Sequence, residues 1–529
     1  MTSYRVWGWG EPADAATLAD LTAARPALEA HLGFALRDPE PPAPMPRLPP
    51  DRVSARLARG LGAVGVEDED RARHGIGRSY RDVVRGWRGQ FDAVPDAVLY
   101  PANEAEVEAA LDWCSAERVA CVPFGGGTSV VGGVEPVVGD GFTGVVSLDL
   151  SRLAGVREID PVSRAARVAA GTRGPDLEAA LGRAGLTARF YPQSFERSTV
   201  GGWVATRAAG HFSTRLTHID DLVESVRAVT PAGWWESRRL PASGAGPSPD
   251  RWLLGSEGSL GVITEVWLRV QPRPAHRWSA TYAAPDLSTG ARAVRELVQA
   301  GLMPATCRLL DPTEAAITGA LTTGEAALVL GFEAIAVTVD AAAAEAGELL
   351  GTHGLRCLES GSRGTAGTNW RAAFLRAPYL REQLVQLGAL AETFETAVPW
   401  SGFDALVAGV LEETRQALAR VCGGGTVTTR LTHVYPDGAA PYFTVLAPTR
   451  PGSELAQWAE IKSAASEAIL RGGGTITHHH AVGRDHASHY ARQRPEPFAA
   501  ALLAAKGVLD PAGVCNPGVL GLGAAKPSQ

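Results

Sequence analysis

Lysine is nearly missing: the 50 basic residues of this 529-residue chain include only Lys462, Lys506 and Lys526, which leaves 47 arginines. Chemistry that needs a Schiff-base lysine or a P-loop lysine therefore has almost nowhere to reside. The bias toward arginine and alanine runs along the whole chain and reads chiefly as base composition. Cysteine is sparse and scattered, at Cys114, Cys121, Cys307, Cys357, Cys422 and Cys515, with no C-x-x-C pair. That excludes a disulfide-built scaffold and points to a reducing, cytoplasmic setting. No apolar run approaches the roughly 18 residues of a membrane span. The opening residues Met1 to Arg5 lead into Trp-Gly repeats rather than an apolar signal core. A formal net charge of −7 excludes a broadly basic surface and hence nucleic acid as partner.

What is present falls into four stretches. Residues 1–92 read as a helical N-terminal extension, interrupted at 39–50 by a proline-rich linker expected to be an extended spacer. Within it, Ala15–Leu36 and the arginine-rich Val53–Phe91 have helical tendency. Residues 93–274 alternate short strands and helices, with Asn103 capping a helix that carries Val107, Leu111 and Cys114 on one face. Residues 275–496 begin a second alternation, with a strand ending at Leu310, a helix over Thr313–Leu321, a strand over Ala327–Glu333 and an Asp340-capped helix. That pattern predicts a sheet covered on one face by helices. Residues 497–529 open with a helix expected to stop at Gly507.

Three glycine-bearing loops carry the binding chemistry. The literal G-x-G-x-x-G of Gly60, Gly62 and Gly65 follows a helical pattern rather than a strand and precedes an acidic run, so it is not read as a dinucleotide loop. The informative loop is Pro123-Phe124-Gly125-Gly126-Gly127-Thr128-Ser129, which leaves a strand and contains no lysine. Successive glycines let backbone N–H groups converge on phosphate oxygens, and Thr128 and Ser129 add hydroxyl donors. A second block spans Gln193, Ser194, Ser198, Thr199, Gly202, Thr206, Ala208 and Ala209. A third spans Glu257, Gly258, Gly261, Val262 and Ile263. Three separated close-approach loops suit a long ligand with phosphates and rings.

Proton chemistry is suggested by Thr477-His478-His479-His480. If the segment is extended, His478 and His480 share one face and His479 points the other way. His433, His486 and His489 lie elsewhere in the same half, yet no metal-ligand spacing such as H-E-x-x-H occurs, so no metal is expected. Imidazoles titrating near neutrality suit proton transfer beside a carbonyl. A histidine-rich packing strand is the structural alternative. Arg430 to Phe443 reads as two strands joined by a turn at Pro436-Asp437-Gly438. Tyr442 and Tyr435 both fall in this pair, either as core aromatics or as phenols for proton transfer, work that suits a phenol only if neighbours lower its pKa.

These blocks resemble the FAD-binding domain of the vanillyl-alcohol-oxidase and p-cresol-methylhydroxylase type. Trp7-Gly8-Trp9-Gly10, the run from His74 to Arg88 leading into Phe91–Asp96, Phe394–Trp400 and the triple histidine extend the resemblance to one branch. That branch is alkylglycerone-phosphate (alkyldihydroxyacetone-phosphate) synthase. The resemblance implies an α+β fold, with a two-subdomain FAD-binding domain over 93–274 to which 497–529 returns. It also implies an antiparallel-sheet cap over 275–496 with helices on one face. FAD would be held non-covalently by the three loops, since the first carries no histidine and only Cys121 stands near it.

Tyr442, His478, His479 and His480 take the catalytic positions by resemblance, and Arg381 and Arg308 bind substrate. The implied reaction exchanges the acyl group of acyl-dihydroxyacetone phosphate for a fatty alcohol through a flavin N5 adduct. The alternative is an FAD-dependent oxidase or dehydrogenase of an alcohol or hydroxy acid. The small-molecule substrate is accordingly phosphorylated or lipid-like, or a hydroxy acid, with a homodimer and peripheral membrane contact as further expectations. The ending Lys526-Pro527-Ser528-Gln529 is no peroxisomal address.

Overall fold

The computed structural model describes residues 5–212, 218–361 and 378–522. The glycine-rich approach to Trp370 and the tail from Lys526 lie outside these residues. Mixed helix and sheet form three main sheets. In the first, Ala97–Tyr100, Gly144–Asp149 and Val119–Phe124 run parallel, and Ala63–Gly65 joins the edge antiparallel. Parallel strands need crossovers, and Glu104–Glu117 supplies one. Asn103 caps this helix by accepting the Glu106 N–H, as its sequence position predicted. A second sheet of five antiparallel strands packs Val168, Val226 and Val266 into the same core as Leu99, Leu111 and Leu148.

The third sheet is antiparallel and larger. Its order is Arg356–Gly361, His276–Ala284, Ala326–Ala334, Thr306–Leu310, Thr426–Val434, Gly438–Pro448 and Ala389–Glu395, with Val398–Pro399 pairing onto Gly438–Pro448. Side chains alternate across such strands, so half must be apolar where helices cover one face. Phe443, Val445 and Ala447 pack with Val294, Leu406, Val410 and Ile461 from the covering helices. Their neighbours Tyr442, Thr444 and Leu446 face a cavity on the other side. Cys307 and Leu309 bracket Arg308 in the same way.

Several local expectations change. Val53–Phe91 holds two short α-helices, Asp68–Arg73 and Tyr80–Trp87, and a 3-10 turn at Ser54–Arg56, because Ala63–Gly65 finds a strand partner in Ala97–Tyr100. The G-x-G-x-x-G therefore leads into an edge strand, where a Cβ on Gly62 would meet the Tyr100 carbonyl at 2.6 Å. The proline-rich segment is extended but is a strap rather than a free spacer. Arg37 N–H donates to the Leu387 carbonyl, Ala43 N–H donates to that of Trp87, and Leu48 is buried. The helix expected over Thr313–Leu321 spans Pro312–Ile317. Asp340 is the first residue of its helix rather than the cap, which is Val339. The last helix, Glu496–Leu509, runs through Gly507 to Asp510. The Asp510 carboxylate holds that end by accepting from Lys506, Val514 N–H and Cys515 N–H.

Phe443 is fully buried and stacks on Phe394 with ring centroids 5.1 Å apart. Phe443→Ala is expected to cost about 3–5 kcal/mol of stability. The check is a urea unfolding midpoint read on the full chain.

Candidate functional site

Between the cap sheet and the two smaller sheets lies a cavity of about 1040 Å³. That is at the upper end of the roughly 300–1,000 Å³ usual for one small-molecule site. One wall comprises all three glycine-bearing loops. Pro123, Phe124, Gly125, Gly126, Gly127, Thr128 and Ser129 line it. So do Gln193, Ser194, Ser198, Thr199, Gly202, Thr206, Ala208, Ala209, Glu257, Gly258, Gly261 and Ile263. Val262 is the exception, because its side chain is buried in the core with Val229 and Val266. Alternation along Val262–Arg269 turns it away from its neighbour Ile263.

The backbone explains why the first loop has glycines. A Cβ on Gly126 would sit 2.1 Å from the Arg197 carbonyl, and one on Gly125 would sit 2.3 Å from the Thr199 hydroxyl. The first and second loops thus touch backbone to backbone. The N–H groups of Gly125, Gly126, Gly127, Thr128 and Ser129 donate to no acceptor among the described residues. A run of unspent donors in a cavity wall is a nest for an anion, and it fits the diphosphate of FAD. Cys121 is turned into the core and is not part of the lining.

The opposite wall comes from the cap. Arg308, Arg381, Arg430, Thr432, His433, Tyr442, His479 and His480 all line the cavity. Arg430, which belongs to no recognisable motif, stands two residues before Thr432 on one face of the strand Thr426–Val434. A register shift between Leu431 and His433 brings His433 to the cavity as well. Arg308 is 2% exposed; one nitrogen donates to the His211 carbonyl, while Nε and Nη1 have no partner among the described residues. Burial and the neighbouring Arg430 lower its pKa to about 9. Arg381 donates to the Arg78 carbonyl and to the Thr393 hydroxyl, both at 3.0 Å.

The triple histidine is not a strand. Residues 477–480 form a bend, so the expected sharing of one face by His478 and His480 fails. His479 and His480 reach the cavity, and His478 lies behind them. There its Nε2 meets the Tyr435 hydroxyl at 2.6 Å and His218 Nε2 at 3.2 Å, while its Nδ1 meets His479 Nδ1 at 3.2 Å. Tyr435 therefore braces His478, whereas Tyr442 lines the cavity with its ring 5.5 Å from that of His480. The ring nitrogens of His433, His478 and His479 lie within 4.8 Å of one another, the one grouping among the described residues with metal-ligand geometry. His478 already engages both ring nitrogens with side chains. Burial lowers the pKa of His479 to about 3 and those of His433, His478 and His480 well below the usual value. The cluster is neutral at pH 7.

Tyr442 departs from expectation. Burial raises its pKa, outweighing the opposing Arg430, whose guanidinium carbon lies 4.1 Å from the ring centroid. The phenol is thus a proton donor at neutral pH rather than a resident phenolate. Glu257, from the third loop, accepts the N–H groups of Val482 at 2.9 Å and Gly483 at 2.8 Å. Asn516 donates to the Glu257 carbonyl and to that of Gly133.

The FAD binding domain family matches residues 95–237, and the family described as FAD linked oxidases, C-terminal domain, matches 273–520. An alkyldihydroxyacetonephosphate synthase of Trypanosoma brucei brucei is 28% identical over 506 residues, covering 90% of this chain and 82% of that protein. That of Dictyostelium discoideum is 28% identical over 480 residues, covering 85% and 78%. A solved alkyldihydroxyacetonephosphate synthase structure superposes with a TM-score of 0.80 at 24% identity, over 97% of this chain and 98% of that one, and shows a shared fold.

Two outcomes follow from this geometry. Gly126→Ala is expected to weaken FAD binding at least about tenfold while circular dichroism stays unchanged, because the added methyl opens the contact between loops. Titration of the apoprotein with FAD reads it. Burial lifts the Glu257 carboxyl from 4.5 to about 7, against the pull of its two amide donors. Its stability contribution is complete below the unfolded value and is lost as pH rises through the folded one. The thermal midpoint of the wild type relative to Glu257→Gln should therefore fall between pH 4.5 and about 7. A difference that stays flat across this window contradicts the burial.

Proposed function

We propose that this chain, an FAD-dependent enzyme that resembles alkyldihydroxyacetonephosphate synthases over most of its length, exchanges the acyl group of acyl-dihydroxyacetone phosphate for a fatty alcohol, with no net redox change. The observation that carries this reading is the divided chemistry of one cavity. Arg308 Nε and Nη1 are buried donors, and His433 Nε2 a buried ring nitrogen, without partners among the described residues, as a dianionic headgroup would require. The same cavity has an apolar wall at Ile317, Leu384, Ala391 and Leu446, backed by Leu21 and Leu36 of the N-terminal extension. A small hydroxy acid has no use for that wall, whereas an alkyl chain gains from it.

FAD, when bound by the nest at Gly125–Ser129, supplies the electron-rich ring system against which the substrate carbon reacts. The chain's own groups handle the rest. Arg308 and Arg381 hold the phosphate and so fix the ketone beside the histidines. Neutral His479 or His480 takes a proton from the carbon next to that ketone. Tyr442, protonated, donates toward the departing carboxylate; the phenolate left beside Arg430 then takes the hydroxyl proton of the entering alcohol as the ether bond forms, and the imidazolium returns its proton to carbon. Non-covalent FAD is supported by Cys121 lying in the core rather than along the cavity.

A cytoplasmic homodimer in peripheral contact with a membrane completes the reading, on the strength of the resemblance and a lipid-like substrate. No helix of the described residues is long and apolar enough to cross a membrane. Phe498, Leu503 and Val508 leave apolar surface exposed on Glu496–Leu509, which supports surface contact.

The test mixes FAD-loaded protein with acyl-dihydroxyacetone phosphate and fatty alcohol in the absence of any electron acceptor. Ether product is expected. Lasting bleaching of the visible flavin band by an alcohol or hydroxy acid would instead establish the oxidoreductase alternative. Tyr442→Phe is expected to lower kcat about 100-fold. Arg308→Ala should raise KM about tenfold or more by removing charged hydrogen bonds to phosphate.

A further inference from the structure

The loop bearing the three histidines has little regular structure of its own, yet its rings must meet Tyr442 and the substrate in fixed register. One buried carboxylate supplies that order. Glu395 Oε2 accepts the N–H of His478 at 2.6 Å. Its Oε1 accepts the N–H groups of His479 and His480, both at 3.0 Å, and the Thr477 hydroxyl at 2.7 Å. Three consecutive amides converging on one carboxylate are an anion nest filled from within the protein. The side chain is fully buried, and no Lys or Arg of the described residues pairs with it. Its charge is therefore balanced by these donors alone, which is tolerable in a dry interior only while all of them stay in place.

Placement adds the link to chemistry. Glu395 ends the strand Ala389–Glu395 and stands directly across from Tyr442 in the ladder. The carboxylate that gathers the histidine backbone thus belongs to the residue paired with the tyrosine. It also lies 3.6 Å from the ring Nδ1 of His479 and 3.8 Å from that of His480. Beyond Ala481, Glu257 holds the amides of Val482 and Gly483 from the opposite wall, so the loop is gripped on both sides.

We propose that Glu395 is a positioning residue for the histidine pair. It fixes His479 and His480 relative to Tyr442 through their backbone, and it lends negative charge to whichever imidazole takes a proton. This rests on the proton-transfer reading of the site, but the backbone clamp can be measured without turnover.

The experiment compares full-length, FAD-loaded wild type with Glu395→Gln by hydrogen exchange and by kinetics. The amide group of Gln offers one acceptor and turns a donor toward the N–H groups. Exchange over 475–483 is expected to speed up about tenfold or more, with 119–129 unchanged. Turnover per bound flavin should fall about 100-fold with KM within about threefold, on whichever substrate the wild type converts. If Glu395→Gln does not fold, Glu395→Asp replaces it and should give smaller losses of the same kind, since the charge is kept. Unchanged exchange overturns the clamp. Faster exchange with undiminished turnover per flavin overturns the positioning role and leaves Glu395 a structural residue. Absence of acyl exchange in the wild type would sink the synthase reading alone, because the exchange comparison and the turnover of the substrate then identified still decide the clamp.

Discussion

Alternation in the antiparallel cap sheet is the constraint from which the site follows. Each strand must commit every second side chain to the helices on its covered face, and the residues between them then have only the cavity to enter. Phe443 and Val445 pay for burial by packing; Tyr442 and Thr444 are delivered opposite the flavin loops by the same pleat. Arg308 reaches the cavity because Cys307 and Leu309 are held in the core on either side. The register shift after Leu431 is the one place where the rule is relaxed, and it adds His433 to the cavity.

Backbone amides do much of the electrostatic work. On one wall, the amides of Gly125–Ser129 find no acceptor among the described residues, an arrangement suited to an anion. On the other, the amides of His478–His480 are filled by Glu395, which makes them a support for side chains. The same device serves binding in one case and orientation in the other. The difference lies in whether the anion is part of the chain.

Burial sets the protonation states along the cavity. It keeps the imidazoles neutral and the Tyr442 phenol protonated, which leaves rings able to accept a proton beside a hydroxyl able to give one. It also leaves two Arg308 nitrogens that donate to no acceptor among the described residues.

The sequence by itself determined the strand-and-helix order, the three loops that meet at the cavity, and the residue types available for chemistry. Glycine spacing, the Asn103 cap and alternating strand residues are local properties, and local physics writes them directly into the chain. It did not determine which face of the histidine segment is which, because residues 477–480 bend around a carboxylate more than 80 positions earlier in sequence. Nor did it say which of Tyr442 and Tyr435 lines the cavity; folding puts Tyr442 there and Tyr435 against His478. Glu395 and Arg430 were invisible for the same reason. A carboxylate or guanidinium among 57 acidic and 50 basic residues gains its meaning only from what folding places within 4 Å of it.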